Sequence, residues 1–115
     1  MDDEIRLLYV TAANSHEADT IANTLVTERL AACANLLGPI SSVYFWDGQL
    51  QKSQEVALIL KTRQTLSDAA VARVRALHSY ECPAIVVIPV LGGHAEFLDW
   101  IRTETGQGKP VCGGE

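Results

Sequence analysis

The chain has 115 residues, 48% of them hydrophobic and 20% charged, with a formal net charge of −5. That length and composition suit one domain with a real core and exclude a compositionally disordered chain. The acidic balance argues against nucleic-acid or anionic-membrane partners, which call for a basic footprint.

The first residues, MDDEIRLLYV, are acidic where a secretory leader starts basic. No run reaches the roughly 20 apolar residues of a membrane span. Cys33, Cys82 and Cys112 are odd in number and far apart, which suits neither a disulfide framework nor a zinc knuckle. These features lead to the expectation of a cytoplasmic protein. Residues 1–106 are expected to form one domain, and the glycine-rich 107–115 a flexible tail in which Cys112 is exposed.

IRLLYVTAA, from Ile5, is a near-continuous apolar run and reads as a buried strand. A helix follows through Ala31: Asn14 stands three residues before Glu17, a capping pattern, and Ala18, Ile21, Ala22, Leu25 and Leu30 keep helical spacing. CANLLGPISSVYFW is a second strand, with a bulge or bend expected at Gly38-Pro39 because proline has no ladder donor. Asp47-Gly48 predicts a two-residue hairpin turn, and QLQKSQEVALILKT is the return strand. TLSDAAVARVRALHS is a helix with Thr65 and Asp68 as its cap pattern and Leu66, Ala70, Val74 and Leu77 along one stripe. AIVVIPV is a fourth strand, and HAEFLDWIRTET a short third helix.

The order β-α-β-β-α-β with a terminal helix predicts an α+β, ferredoxin-like fold: an antiparallel sheet with its two main helices on one face and a long hairpin between strands two and three. An open antiparallel face should alternate polar residues. Here Val56, Leu58 and Leu60 oppose Ala57 and Ile59, and Ile85 and Val87 oppose Val86 and Ile88, so both faces are apolar. Leaving about six such side chains in water forgoes on the order of 10 kcal/mol, comparable with the stability of a domain. Another copy of the chain is the simplest cover. Tyr44, Phe45 and Trp46, near the hairpin tip and opposite the polar QLQKSQE, are assigned to the same subunit interface.

ERLAACAN at 28–35, YFWDG at 44–48, EVALILKT at 55–62, HSYECPAIV at 78–86 and FLDW at 97–100 resemble, in order, the CutA divalent-cation tolerance protein family. Ser79 stands where the family usually has proline, and Ala34 where it has a branched residue. The resemblance implies a homotrimer with sheets packed inside and hairpins reaching across to neighbours. It implies a link to copper and other divalent cations, and an architecture similar to PII signalling trimers, which bind small effectors between subunits. Lys61, Tyr80 and Trp46 are then expected at the intersubunit cleft.

Metal-ligand candidates are His78, Glu81 and Cys33: imidazole and carboxylate suit copper and zinc, and a thiolate selects Cu(I). Against them stand plainer readings. His78 ends a helix, where a cationic imidazole favours the dipole; Cys33 fits a small buried apolar residue; Cys82 fits a packed thiol. The chain has no G-x-S-x-G, P-loop or H-E-x-x-H, and Cys33 has no sequence-visible base, so it is not expected to be an enzyme. The expected function is metal tolerance with weak copper binding, and the alternative a signalling or scaffold trimer with an effector or protein partner in its clefts.

Overall fold

The computed structural model describes residues 3–106. The expected tail and the exposure of Cys112 lie outside them. The elements run β1 (Ile5–Ala12), α1 (Ser15–Thr27), β2 (Cys33–Trp46), β3 (Gln49–Arg63), α2 (Gln64–Leu77), β4 (Ile85–Pro89) and α3 (Ala95–Glu104). The sheet order is β2-β3-β1-β4, antiparallel throughout, so the expected α+β fold is present.

The strand period of two decides what each face holds. Leu8, Val10 and Ala12 of β1 and Val56, Leu58 and Leu60 of β3 meet Ile21 and Leu25 of α1 and Ala70 and Val74 of α2 in the main core. Each such side chain removed from water is worth about 1.5–3 kcal/mol. On the opposite face Ile5 packs with Ala32 and Ile101, so α3 covers one end of that face. Arg63 ties α3 down, donating from Nε to Thr105 Oγ1 and from Nη2 to the Thr105 carbonyl, each at 2.8 Å. The rest of that face is open: Val86 is 51% exposed and Ile88 41%.

Asn14 caps α1 as expected, its Oδ1 accepting the Glu17 N–H at 2.8 Å. The helix stops at Thr27, four residues before the expected end, because Arg29 adopts φ 64° and folds the chain back on itself. The cap expected for α2 differs. The helix starts at Gln64, and its Thr65 N–H and hydroxyl are both taken by the carboxyl of Asp3, 62 positions earlier in the chain.

Strands β2 and β3 run 14 and 15 residues, well beyond the usual length, and carry the hairpin out along a molecule 49 Å long. Asp47 and Gly48 both have positive φ, as a type I′ turn demands. The ladder slips between Leu36 and Gly38, the expected bulge, with Gly38 at φ 97° where other residues are strained. Leu36 still pairs with Leu58, Gly38 pairs with Ala57, and Leu37 has no partner. Beyond that point the even-numbered residues Ser42, Tyr44 and Trp46 lie on the side of Glu55 and the open face.

Candidate functional site

After α2, residues 78–84 cross the end of β1 without regular structure, pinned by contacts that also fix their side chains. Thr11 N–H donates to the Ala84 carbonyl at 3.4 Å. The Glu17 carboxyl accepts from the Ala13 N–H at 3.0 Å and the Ser79 N–H at 3.1 Å, joining the start of α1 to the end of α2.

His78 is the centre of this joint. Its side chain is fully buried. Nε2 lies 2.7 Å from the Thr11 carbonyl, and Nδ1 accepts the Tyr80 N–H at 3.1 Å. A carbonyl can only accept, so the pattern assigns the ring proton to Nε2. Glu17 Oε2 comes within 3.4 Å of Nδ1, but the one lone pair there already serves Tyr80, so this approach is not an N–H···O bond. His78 does stand at the C-terminus of α2 as expected, and there its ring is buried and held through both nitrogens.

Tyr80 then reaches across to β3. Its hydroxyl donates to Glu55 Oε2 at 3.0 Å, and Ser42 of β2 donates to Oε1. Burial, followed by the hydrogen bond to Glu55 and its charge, pushes the Tyr80 phenol from 10.0 up to about 12. The open side of the hairpin and the 78–84 segment enclose a cleft of about 690 Å³. Tyr44, Trp46, Tyr80, Glu55 and Glu81 are among its lining.

Of the expected cleft residues, Tyr80 and Trp46 therefore share one wall system, whereas Lys61 does not. It points under α3, its Nζ 5.3 Å from the Phe97 ring centroid, a cation–π contact. Tyr44, Phe45 and Trp46 are all exposed, Phe45 at 72%. Cys82 is exposed at the cleft rather than packed, because none of the described residues covers its side chain.

The metal-ligand candidates are not brought together. Cys33 is partly buried beside Ile5, Ala32 and Ile101, at the end of β1 opposite His78. Glu81 lines the cleft, and both nitrogens of His78 are engaged elsewhere. Among the described residues no three His, Cys, Asp or Glu side chains could hold an ion together. The described residues of a single chain therefore do not fit a metal centre. Sequence reasoning missed Glu55 as a site residue. The only signal was a carboxyl at the head of the apolar run EVALIL, on a strand otherwise bound for the core.

Three shifted groups predict how stability depends on pH. Burial raises the carboxyls of Asp3 and Glu17, but hydrogen bonds outweigh it, from Thr65 and Arg63 to Asp3 and from Ser79 and Ala13 to Glu17. Both sit below their ordinary values of 3.8 and 4.5. A lowered carboxyl stabilises the fold above its unfolded pKa and loses that contribution as pH falls through the folded one. Urea midpoints are expected to drop below about pH 4, and less steeply in Asp3→Asn and Glu17→Gln, which start lower near neutrality. Tyr80 has the opposite sign: its contribution is present below pH 10.0 and fades toward about 12. Tyr80→Phe should flatten that alkaline limb.

Comparison with known proteins places these features. The family model described as CutA1 divalent ion tolerance protein matches residues 6–104. A chloroplastic CutA 1 protein of Oryza sativa is 38% identical over 99 residues, 86% of this chain and 56% of that protein. The divalent-cation tolerance protein CutA of Thermus thermophilus is 41% identical over 100 residues, 87% of this chain and 97% of that one. The chain thus spans little more than half of the plant relatives and nearly all of the bacterial one. In solved structures, CutA1 from Oryza sativa aligns with a TM-score of 0.89 at 36% identity, covering 91% of this chain and 96% of that one. The Thermus thermophilus protein aligns at 0.86 and 40% identity, covering 89% and 99%. A match over nearly all the described residues, in both sequence and fold, means that this chain belongs to the CutA1 divalent ion tolerance protein family.

Proposed function

We propose that this chain acts in the response to divalent cations as a homotrimer, with the Tyr80–Trp46 cleft at a subunit boundary. The observation that carries the reading is the apolar surface on the open face and hairpin. Val86, Ile88, Tyr44, Phe45, Trp46 and Leu50 are each more than 40% exposed, on a molecule whose total surface is 6835 Å². Val86, Ile88, Tyr44 and Trp46 lie on one side of the sheet, and a soluble monomer rarely leaves a large apolar patch in water. Sedimentation equilibrium tests it: the expected mass is about three chains, and a stable single-chain mass overturns it.

Copper or a similar divalent cation binds weakly in this assembly, with Glu81 as a carboxylate donor at the cleft and the remaining donors drawn from other chains or from water. Its cellular setting is proposed to be the cytoplasm. Titration calorimetry with Cu(II) should show binding that weakens in Glu81→Gln. Unchanged binding in His78→Ala removes His78 from the ligand set, and unchanged binding in Cys33→Ser does the same for Cys33.

A second reading, a signalling or scaffold trimer that takes a small effector or protein partner between subunits, is favoured by the cleft volume of about 690 Å³, within the usual range for small-molecule sites. Native mass spectrometry of the untagged protein should then find a bound non-metal ligand.

A further inference from the structure

Glu55 is only 9% exposed, yet its two hydrogen-bond donors are the hydroxyls of Ser42 and Tyr80, both neutral. No Lys, Arg or His among the described residues forms an ion pair with it. Asp3, whose side chain is 15% exposed, holds Arg63 at 3.1 Å. A buried acidic side chain ordinarily keeps a cation beside it, because removing its charge from water is costly. The charge partner of Glu55 is therefore missing from the described chain, and Glu55 faces the cleft.

The rest of the lining suits a particular kind of cation. Glu81 adds a second carboxyl, and Tyr44, Trp46 and Tyr80 add aromatic rings, while no Lys or Arg among the described residues lines the cleft. Aromatic faces attract cations and also accept apolar stems. A bare metal ion needs several convergent oxygen, nitrogen or sulfur donors and gains little from rings. An organic cation uses both features.

We propose that the cleft is a binding site for an organic cation of the alkylammonium or alkylguanidinium class, its charged head directed to Glu55 and its stem along Tyr44 and Trp46. The proposal rests on the reading that the cleft stays open to solvent when chains assemble.

The test uses the full chain carrying Trp100→Phe, which leaves Trp46 as its one tryptophan; Trp100 stacks on Phe97 and is not part of the cleft lining. Propylguanidinium is titrated while Trp46 fluorescence and heat are followed, with neutral propylurea as the control of similar shape. Saturable binding is expected with the cation alone, weakened by added salt, at least tenfold in Glu55→Gln and a few-fold in Glu81→Gln. Glu55→Gln keeps the side chain's shape and one acceptor oxygen and puts an NH2 donor at the other position, where a hydroxyl of Ser42 or Tyr80 must turn to accept, and circular dichroism with sedimentation checks that it folds and assembles. Equal response to propylurea, or undiminished affinity in a folded Glu55→Gln, overturns the proposal. So does the absence of saturable binding, including the case in which a basic side chain of another copy fills the cleft and Glu55→Gln loosens the assembly. Probe binding by a protein that sediments as a single chain leaves this site standing and removes the trimer instead.

Discussion

Leu58→Ala is expected to lower unfolding free energy by about 2–5 kcal/mol, measured by urea denaturation at one fixed protein concentration. Leu58 is fully buried on the central strand β3, between Val10 of β1 and Leu36 of β2, and faces both main helices. Truncation there removes transfer free energy and leaves a void that helices and sheet cannot both close around. Domains of this size hold about 5–15 kcal/mol in total, so the variant should be only marginally folded. A loss under about 1 kcal/mol would mean that the core relaxes far more than its packing suggests.

Val86→Glu should act on assembly and leave the chain's own fold nearly untouched. Val86 is half exposed on the open face, paired with Tyr9 at the edge strand, so within one chain the change is a surface substitution worth about 0.5 kcal/mol or less. In the proposed trimer the same carboxylate enters an apolar interface with no partner, which costs several kcal/mol per chain. Three kcal/mol already corresponds to more than a hundredfold in association. Sedimentation should show a shift to single chains with an unchanged circular dichroism spectrum. A variant that keeps the wild-type mass would place the interface elsewhere.

The parts of this fold that were legible in the sequence are those written in neighbouring residues. Asp47-Gly48 specifies its turn, Gly38-Pro39 its bulge, and Asn14 with Glu17 the start of α1, because each depends on backbone angles or hydrogen bonds a few residues apart. The cap of α2 was illegible because its acceptor, Asp3, is 62 positions from Thr65. His78 shows the same limit at the site. Its place at a helix end was readable, but its burial depends on a Thr11 carbonyl that only the sheet brings near. Cys33 and His78 each suited a ligand by residue type, yet β1 holds them at opposite ends. Glu55 was missed for the converse reason: an acidic residue beginning an apolar strand looks like a solvated end until Ser42 and Tyr80 close over it.

Strand β2 holds one residue more than its ladder needs, and the surplus is Leu37. Deleting Leu37 would leave every hairpin residue opposite its present neighbour, with a straighter strand. From Pro39 to Trp46 there is no such slack. A single residue gained or lost there would offset the side chains by one, turning Val43 and Phe45 inward and sending Tyr44 and Trp46 to the outer surface. Tolerance of length changes should therefore be confined to one joint of the hairpin, and the identity of the cleft wall hangs on counting correctly beyond it.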